Sequence, residues 1–179
     1  MTHRIDDSAK ALHAGWWVLA VIVFGLVIAI TIRLLGIPLE RDEGEYAYAG
    51  QLILQGIPSY KLAYNMKFPG TYAAYAVIMS MFGQTSIGIH LGLLLVNAAT
   101  CVLIFFLGRQ LVNLTLGLAA AMSYAVLSVN PSVLGFAGHA THFVLLPVLG
   151  GTLLLLNSRE RRTFGRIFVS GMLFGIGLL

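Results

Sequence analysis

The feature that most constrains this chain is a pair of long stretches without charge. Residues 11–32 contain no Lys, Arg, Asp or Glu, and neither do residues 68–107. A helix that crosses the roughly 30 Å of hydrocarbon in a bilayer needs about 20 such residues. Because only 10% of the 179 residues are charged, the chain cannot cover its surface with polar groups in water. We therefore predict an integral membrane protein.

The net charge of +4 does not indicate a nucleic-acid partner. The basic residues lie in short clusters between the apolar spans, where they report orientation in the membrane. Arg4 and Lys10 precede the first apolar run as in a signal peptide, but the run is too long and no small-residue cleavage site follows it. We interpret this run as an uncleaved anchor helix.

The apolar spans predict an all-α fold, a polytopic bundle of transmembrane helices. The predicted helices cover residues 16–35, 85–107, 114–134, 143–156 and 167–179, and a loop at 36–84 contains short juxtamembrane helices. The last apolar segment stops soon after it begins. We therefore expect residues 1–179 to be the N-terminal part of a single transmembrane module, a fragment of a longer protein.

Residues 68–82 decide the predicted topology. With 15 residues this segment is short for a span and suits an interfacial helix. If it does not cross, Arg4, Lys10, Arg109 and the basic cluster at 159–166 share one side, as the positive-inside rule favours. We therefore expect a multi-pass protein of the plasma (inner) membrane with a cytoplasmic N-terminus and an external loop at 36–84.

Four of the seven acidic residues lie in one hexapeptide, residues 40–45, just after the first span. Carboxylates favour a helix N-terminus, so capping is one interpretation. However, charged residues at a bilayer boundary are usually basic, and an acidic cluster there favours the interpretation as a functional site. Lys67 adds a lone cation before the interfacial helix. A carboxylate that accepts a proton and an ammonium that neutralises phosphate would suit a reaction on a lipid-linked phosphate.

The sequence Asp-Glu-Gly-Glu-Tyr-Ala at 42–47, followed by Lys-Phe-Pro-Gly at 67–70, resembles the start of a known family. It is similar to the polyprenyl-phosphate-sugar-dependent membrane glycosyltransferases of fold class C, which include protein O-mannosyltransferases and aminoarabinose transferases. The resemblance implies transfer of a sugar from a polyprenyl-phosphate donor to a hydroxyl of a lipid, glycan or protein acceptor, outside the membrane. Residues 1–179 would then form the N-terminal part of the catalytic module.

The resemblance also implies roles for individual residues. Asp42 would be the catalytic carboxylate, with Glu43 supporting it, and Lys67 would contact the phosphate of the donor. Further substrate contacts are expected from five residues: Glu45, Tyr46, Tyr60, His139 and His142.

The second external loop departs from the family pattern. The family often has an acid there, whereas this chain has His139 and His142, so that role is either absent or taken by a histidine. Two histidines without a third ligand make a weak metal site. No cofactor is predicted with certainty, although a divalent metal near Asp42 is compatible with the carboxylates. His90 is interpreted as a hydrogen-bonded residue between helices.

Two other functions remain open from the sequence. One is a non-catalytic membrane subunit that binds lipid or assists assembly. The other is a fragment of a transporter, a class that places its charged residues near the bilayer midplane in broken helices. Here the acidic cluster lies at one boundary, which favours the glycosyltransferase.

Overall fold

The computed structural model describes residues 2–64, 67–158 and 164–179. Within these residues all regular secondary structure is helical. Its α-helices are α1 (Thr2–Leu34), α2 (Arg41–Leu54), α3 (Gly70–Phe82), α4 (Ser86–Leu111), α5 (Leu114–Leu127), α6 (Ala140–Asn157) and α7 (Phe164–Leu178), and a short 3-10 helix covers Pro131–Val133. Three helices are long and apolar enough to cross a membrane: α1 over Ala14–Leu34, α4 and α6. The predicted all-α membrane fold is thus confirmed.

One end of the bundle gathers the ends of several helices. The carbonyl of Leu35, just after α1, lies 2.9 Å from Nδ1 of His90 near the start of α4. Gly138, two residues before α6, donates its N–H to the Glu43 side chain of α2 at 2.6 Å. The end of α1 and the starts of α2, α4 and α6 therefore lie together. We call this the site end.

The opposite end holds the other helix connections. Arg166 of α7 donates to the carbonyl of Asn157, the last residue of α6, at 3.3 Å. The end of α4 and the start of α5 approach so closely that a Cβ on Gly108 would lie 2.9 Å from the Cα of Gly117. Arg109 is next to this contact, so it and Arg166 lie away from the site end.

Helix α3 begins and ends at the site end. At its start, the Gly70 N–H donates at 3.1 Å to the carbonyl of Leu179, which follows α7. At its end, Gly83 adopts a φ of 90°, a conformation that favours glycine, and the chain then turns into α4. Its 13 residues span about 20 Å, less than a bilayer core. That residues 68–82 do not cross the membrane stays a prediction.

Several predicted helix boundaries differ from those in the structure, and local chemistry explains the largest difference at a C-terminus. Helix α5 ends at Leu127 instead of residue 134 because the Asn130 side chain accepts the Ser132 N–H at 2.8 Å, and Pro131 starts a 3-10 turn. Helix α6 begins at Ala140 instead of residue 143. Helix α1 begins at residue 2 instead of 16, and α4 and α7 differ from the predicted bounds by a few residues.

Helices α2 and α3 form a compact aromatic layer at the site end. The Tyr46 ring of α2 packs edge-on to Tyr75 of α3 with 5.5 Å between centroids. Gly50 lets the helices approach, because a Cβ there would lie 3.0 Å from the Ala76 backbone nitrogen. The Tyr75 hydroxyl also donates to the Gly138 carbonyl at 2.7 Å. These contacts fix α2 and α3 against the segment that leads into α6.

Candidate functional site

The acidic hexapeptide forms the N-terminus of α2. Glu40 is the N-cap, and its side chain accepts the Asp42 N–H at 2.7 Å. Glu43 accepts the Glu40 N–H at 3.0 Å, which completes a capping box. Capping therefore uses Glu40 and Glu43, as the structural interpretation of the cluster predicted. The Asp42 side chain takes no part in the capping box.

Asp42 and Lys67 form an ion pair at the site end. Lys67 Nζ lies 3.3 Å from Asp42 Oδ2, and the two side chains are 38% and 28% exposed. Lys67 also donates to the Tyr46 hydroxyl at 2.5 Å and lies 4.6 Å from the centre of that ring. The hydrogen bond from Lys67 holds the pKa of Asp42 below its usual value. The hydrogen bond with Tyr46 raises the pKa of Lys67, so both groups are charged at neutral pH.

Tyr60 positions the backbone that carries Lys67. Its hydroxyl donates to the Lys67 carbonyl at 2.6 Å. Tyr60 itself has a φ of 70°, in the left-handed region, which costs a residue with a side chain about 1–2 kcal/mol. Its ring packs edge-on to that of Tyr72, 6.1 Å between centroids. Tyr60 thus adopts a strained conformation in which its hydroxyl holds the Lys67 backbone, and the ammonium of Lys67 reaches Asp42.

Glu43 is buried, with 1% of its surface exposed. Its Oε1 accepts the Gly138 N–H at 2.6 Å, and its Oε2 lies 3.4 Å from His90 Nε2. Burial raises the pKa of Glu43, but the hydrogen bonds from His90, Glu40 and Gly138 outweigh it and leave that pKa below its usual value. Glu43 therefore joins α2, α4 and the segment before α6, a position that favours support of the site over contact with substrate.

His90 is the part of this network that the sequence alone did not place at the site. Since a carbonyl only accepts, His90 Nδ1 donates to Leu35. Its other ring nitrogen, Nε2, lies 3.4 Å from Glu43 Oε2. The interpretation of His90 as a hydrogen-bonded residue between helices is confirmed. Its spacing from Glu43, 47 residues along the chain, gave no local signal of their contact.

The two histidines before and within α6 lie in different environments. His139 is the N-cap of α6 and is half-buried. His142 lies in the first turn of α6, not in a loop as predicted, and is buried with its Nδ1 3.4 Å from the His139 carbonyl. Of these two histidines, His139 lies in the cluster with Glu40 and Asp42. A direct substrate contact of His142 remains a prediction.

Among the described residues, one cluster has the composition of a divalent metal site. Ligand atoms of Glu40, Asp42 and His139 all lie within 4.8 Å of one another. Two carboxylates and an imidazole form a donor set that suits several divalent cations, and other coordination positions would stay open. These residues could therefore hold the divalent metal that the sequence left open near Asp42. When bound, such an ion would add positive charge beside the Asp42 carboxylate.

Glu45 lies half-buried in the next turn of α2. Its negative charge is close enough to Tyr72 to contribute, after burial, to the raised pKa of that hydroxyl. Most residues that the sequence assigned to the site thus come together at one end of the bundle. Tyr46, Tyr60 and His139 lie around the Asp42–Lys67 pair, and Glu45 lies near Tyr72. Glu43, Tyr46 and His142 are buried.

No family model, curated protein or solved structure matches this chain.

An apolar cavity of about 350 Å³ lies between α1, α4 and α5. Its walls include Phe24, Leu93, Phe105 and Leu118, and His90 lines it as well. Because His90 also contacts Glu43, the cavity extends to the base of the site end. A cavity with such walls suits a hydrocarbon chain. This cavity could not be predicted from the sequence, since it depends on how three separated helices pack.

Proposed function

We propose that this protein transfers a sugar from a polyprenyl-phosphate donor to a hydroxyl acceptor. One observation carries this proposal: a carboxylate and an ammonium lie 3.3 Å apart, both partly exposed, at one end of an apolar helical bundle. A lipid-linked donor would keep its chain among the helices and its phosphate at this end. The proposal places the site end outside the plasma (inner) membrane and the N-terminus in the cytoplasm, with Arg109 and Arg166 on the cytoplasmic side.

In the proposed reaction Asp42 acts as the general base. Its carboxylate takes the proton of the acceptor hydroxyl while the acceptor oxygen attacks the anomeric carbon of the sugar. The bond between that carbon and the phosphate oxygen breaks, and the electron pair leaves with the polyprenyl phosphate. The configuration at the anomeric carbon is inverted. Lys67 neutralises the charge that develops on the departing phosphate.

The ion pair gives Lys67 a second effect in this mechanism. Without donor, the hydrogen bond from Lys67 keeps the pKa of Asp42 low, so the carboxylate is a weak base. A phosphate bound at Lys67 would compete with Asp42 for the ammonium. Asp42 would then become a stronger base when the donor is in place.

The first experiment measures polyprenyl phosphate released from a radiolabelled polyprenyl-phosphate hexose in membranes that contain the protein. Asp42→Asn keeps the size of the side chain but removes its charge, and should lower the rate by about 10²–10⁴-fold. Asp7→Asn is the matched control, since it makes the same chemical change in the N-terminal part of α1. Retention of more than about a tenth of the wild-type rate in Asp42→Asn would overturn the proposal.

A second candidate function is a non-catalytic subunit that binds a lipid phosphate. The apolar cavity between α1, α4 and α5 favours it, because a lipid chain could remain there without any reaction. In that case wild-type protein would bind polyprenyl phosphate but release none from the linked hexose. Asp42→Asn would then behave like the wild type in both measurements.

A further inference from the structure

The hydroxyl of Tyr72 is buried, and no residue in the described part of the chain gives it a hydrogen bond. Only 2% of the Tyr72 surface is exposed. A buried hydroxyl without a partner costs about 1–3 kcal/mol, and nearly all such groups in folded proteins are paired. Other buried hydroxyls nearby follow this rule, since Tyr46 bonds to Lys67 and Tyr75 bonds to Gly138. Tyr72 is thus the exception at the site end.

The ring of Tyr72 lies between the two tyrosines that hold Lys67. Its centroid is 6.1 Å from that of Tyr46 and 6.1 Å from that of Tyr60. Tyr46 accepts a hydrogen bond from the Lys67 ammonium, and Tyr60 donates one to the Lys67 carbonyl. Tyr72 therefore belongs to the same cluster as the cation. Packing of the Tyr72 ring explains why this residue is buried, but it does not explain why the buried ring carries an unpaired hydroxyl.

We propose that the Tyr72 hydroxyl is a ligand-binding group that donates a hydrogen bond to the phosphate held by Lys67. Tyr72 and Lys67 would then contact the phosphate at two points. This inference rests on the proposed function for the source of the phosphate, a polyprenyl-phosphate donor. It adds a residue whose type and position gave no sign of this role in the sequence.

The chemistry of the cluster favours an anionic acceptor as the partner of Tyr72. Burial, together with the charge of Glu45, raises the pKa of the Tyr72 hydroxyl. The group therefore stays protonated and can donate but cannot act as a base. Beside an ammonium, a donor hydroxyl is complemented by a negatively charged oxygen. Tyr72 also lies in the first turn of α3, whose N-cap Pro69 supplies no side-chain cap, and a helix N-terminus favours anions.

The test compares Tyr72→Phe, which removes only the hydroxyl, with Tyr48→Phe, which makes the same change at an exposed position of α2. Binding of polyprenyl phosphate and of uncharged polyprenol is measured in phosphatidylcholine nanodiscs. Tyr72→Phe should weaken polyprenyl phosphate binding about 10- to 100-fold and leave polyprenol binding unchanged. Without ligand, Tyr72→Phe should unfold at the same temperature as the wild type or higher, because an unpaired buried hydroxyl is removed. Tyr48→Phe should match the wild type throughout.

The possible outcomes separate this inference from the proposed function. If Tyr72→Phe binds polyprenyl phosphate as the wild type does while Lys67→Ala does not, the inference is overturned and the phosphate site at Lys67 stands. If Tyr72→Phe lowers the unfolding temperature, the hydroxyl has a structural partner and the inference is overturned as well. If the wild type does not distinguish polyprenyl phosphate from polyprenol, both ideas fail. A Tyr72-dependent phosphate affinity with an inactive donor assay would support the contact but not glycosyl transfer.

Inorganic phosphate identifies the source of the ligand. If it displaces polyprenyl phosphate only at far higher concentration, the lipid form is the ligand. If it binds equally well and Tyr72→Phe weakens both, the contact to phosphate is supported and free phosphate is its source.

Discussion

Glu43 offers the sharpest test of how the site is held together, because its neighbour Asp42 provides a direct comparison. The variant is Glu43→Ala. In the folded protein, Glu43 accepts the N–H groups of Gly138 and Glu40 at 2.6 and 3.0 Å and lies 3.4 Å from His90. Truncation leaves the Gly138 N–H and the His90 ring without their acceptor in a buried region. It also removes half of the capping box of α2.

The magnitude follows from these contacts. A buried N–H without a partner costs about 1–3 kcal/mol, and loss of a helix cap costs about 1 kcal/mol. The buried His90 ring also loses its acceptor, which adds a cost of similar size. We therefore expect Glu43→Ala to lower the free energy of unfolding by about 3–5 kcal/mol. Glu43→Gln should lie between this variant and the wild type, because the amide retains one acceptor oxygen.

The measurement is unfolding by sodium dodecyl sulfate in mixed micelles, followed by the fluorescence of Trp16 and Trp17. Asp42→Ala is the control. Its ion pair with Lys67 is partly exposed, and such pairs contribute about 1 kcal/mol or less. If Glu43→Ala unfolds with the same free energy as Asp42→Ala, Glu43 does not join the helices as argued here, and a direct catalytic role becomes the better explanation for it.

Two further predictions use the same protein. The pKa of Glu43 in the folded state is below its usual 4.5, so the contribution of Glu43 to stability is complete above that pH and is lost as the pH falls through the folded pKa. The free energy of unfolding of the wild type should therefore fall more than that of Glu43→Gln between pH 6 and about pH 3. Equal losses in the two proteins would contradict this prediction. The second prediction concerns orientation. On a Cys101→Ala background, cysteines at the exposed positions Leu62 and Ser132 should react with a membrane-impermeant maleimide in intact cells, whereas a cysteine at Gln110 should not. The reverse pattern of labelling would mean that the proposed orientation is inverted.

The helices could be predicted because the property that makes them is local. An uncharged run of sufficient length must satisfy its backbone hydrogen bonds internally, and a helix does this. The end of α5 was misplaced because the prediction joined Val133 and Leu134 to the apolar run, although the Asn130 side chain and Pro131 end the helical hydrogen bonding before them. Turn chemistry outweighed hydrophobicity there. The polar start of α1 was missed for the opposite reason, since helix formation there extends beyond the apolar run.

The site could be predicted only in part. Its charged residues are unusual at a membrane boundary, and their order along the chain suggested a carboxylate and a cation acting together. The sequence could not indicate that Lys67 contacts Asp42, 25 residues away, or that Glu43 contacts Gly138, 95 residues away. A local signal for Glu43 did exist. Glu40 and Glu43 have the spacing of a capping box, which turns the second acid toward its own helix N-terminus.

Asp42 and Glu43 are adjacent in sequence, yet helical geometry gives them opposite surroundings. A step of one residue rotates the side chain by about 100° around α2, so Glu43 points into the bundle while Asp42 stays at its surface. Glu43 then fixes α2 to Gly138, and Gly138 is followed directly by His139, the third member of the cluster with Glu40 and Asp42. The buried acid therefore sets the distance between Asp42 and His139. In the proposed reaction, Asp42 would accept the proton of the acceptor hydroxyl, and Glu43 would hold Asp42 in position.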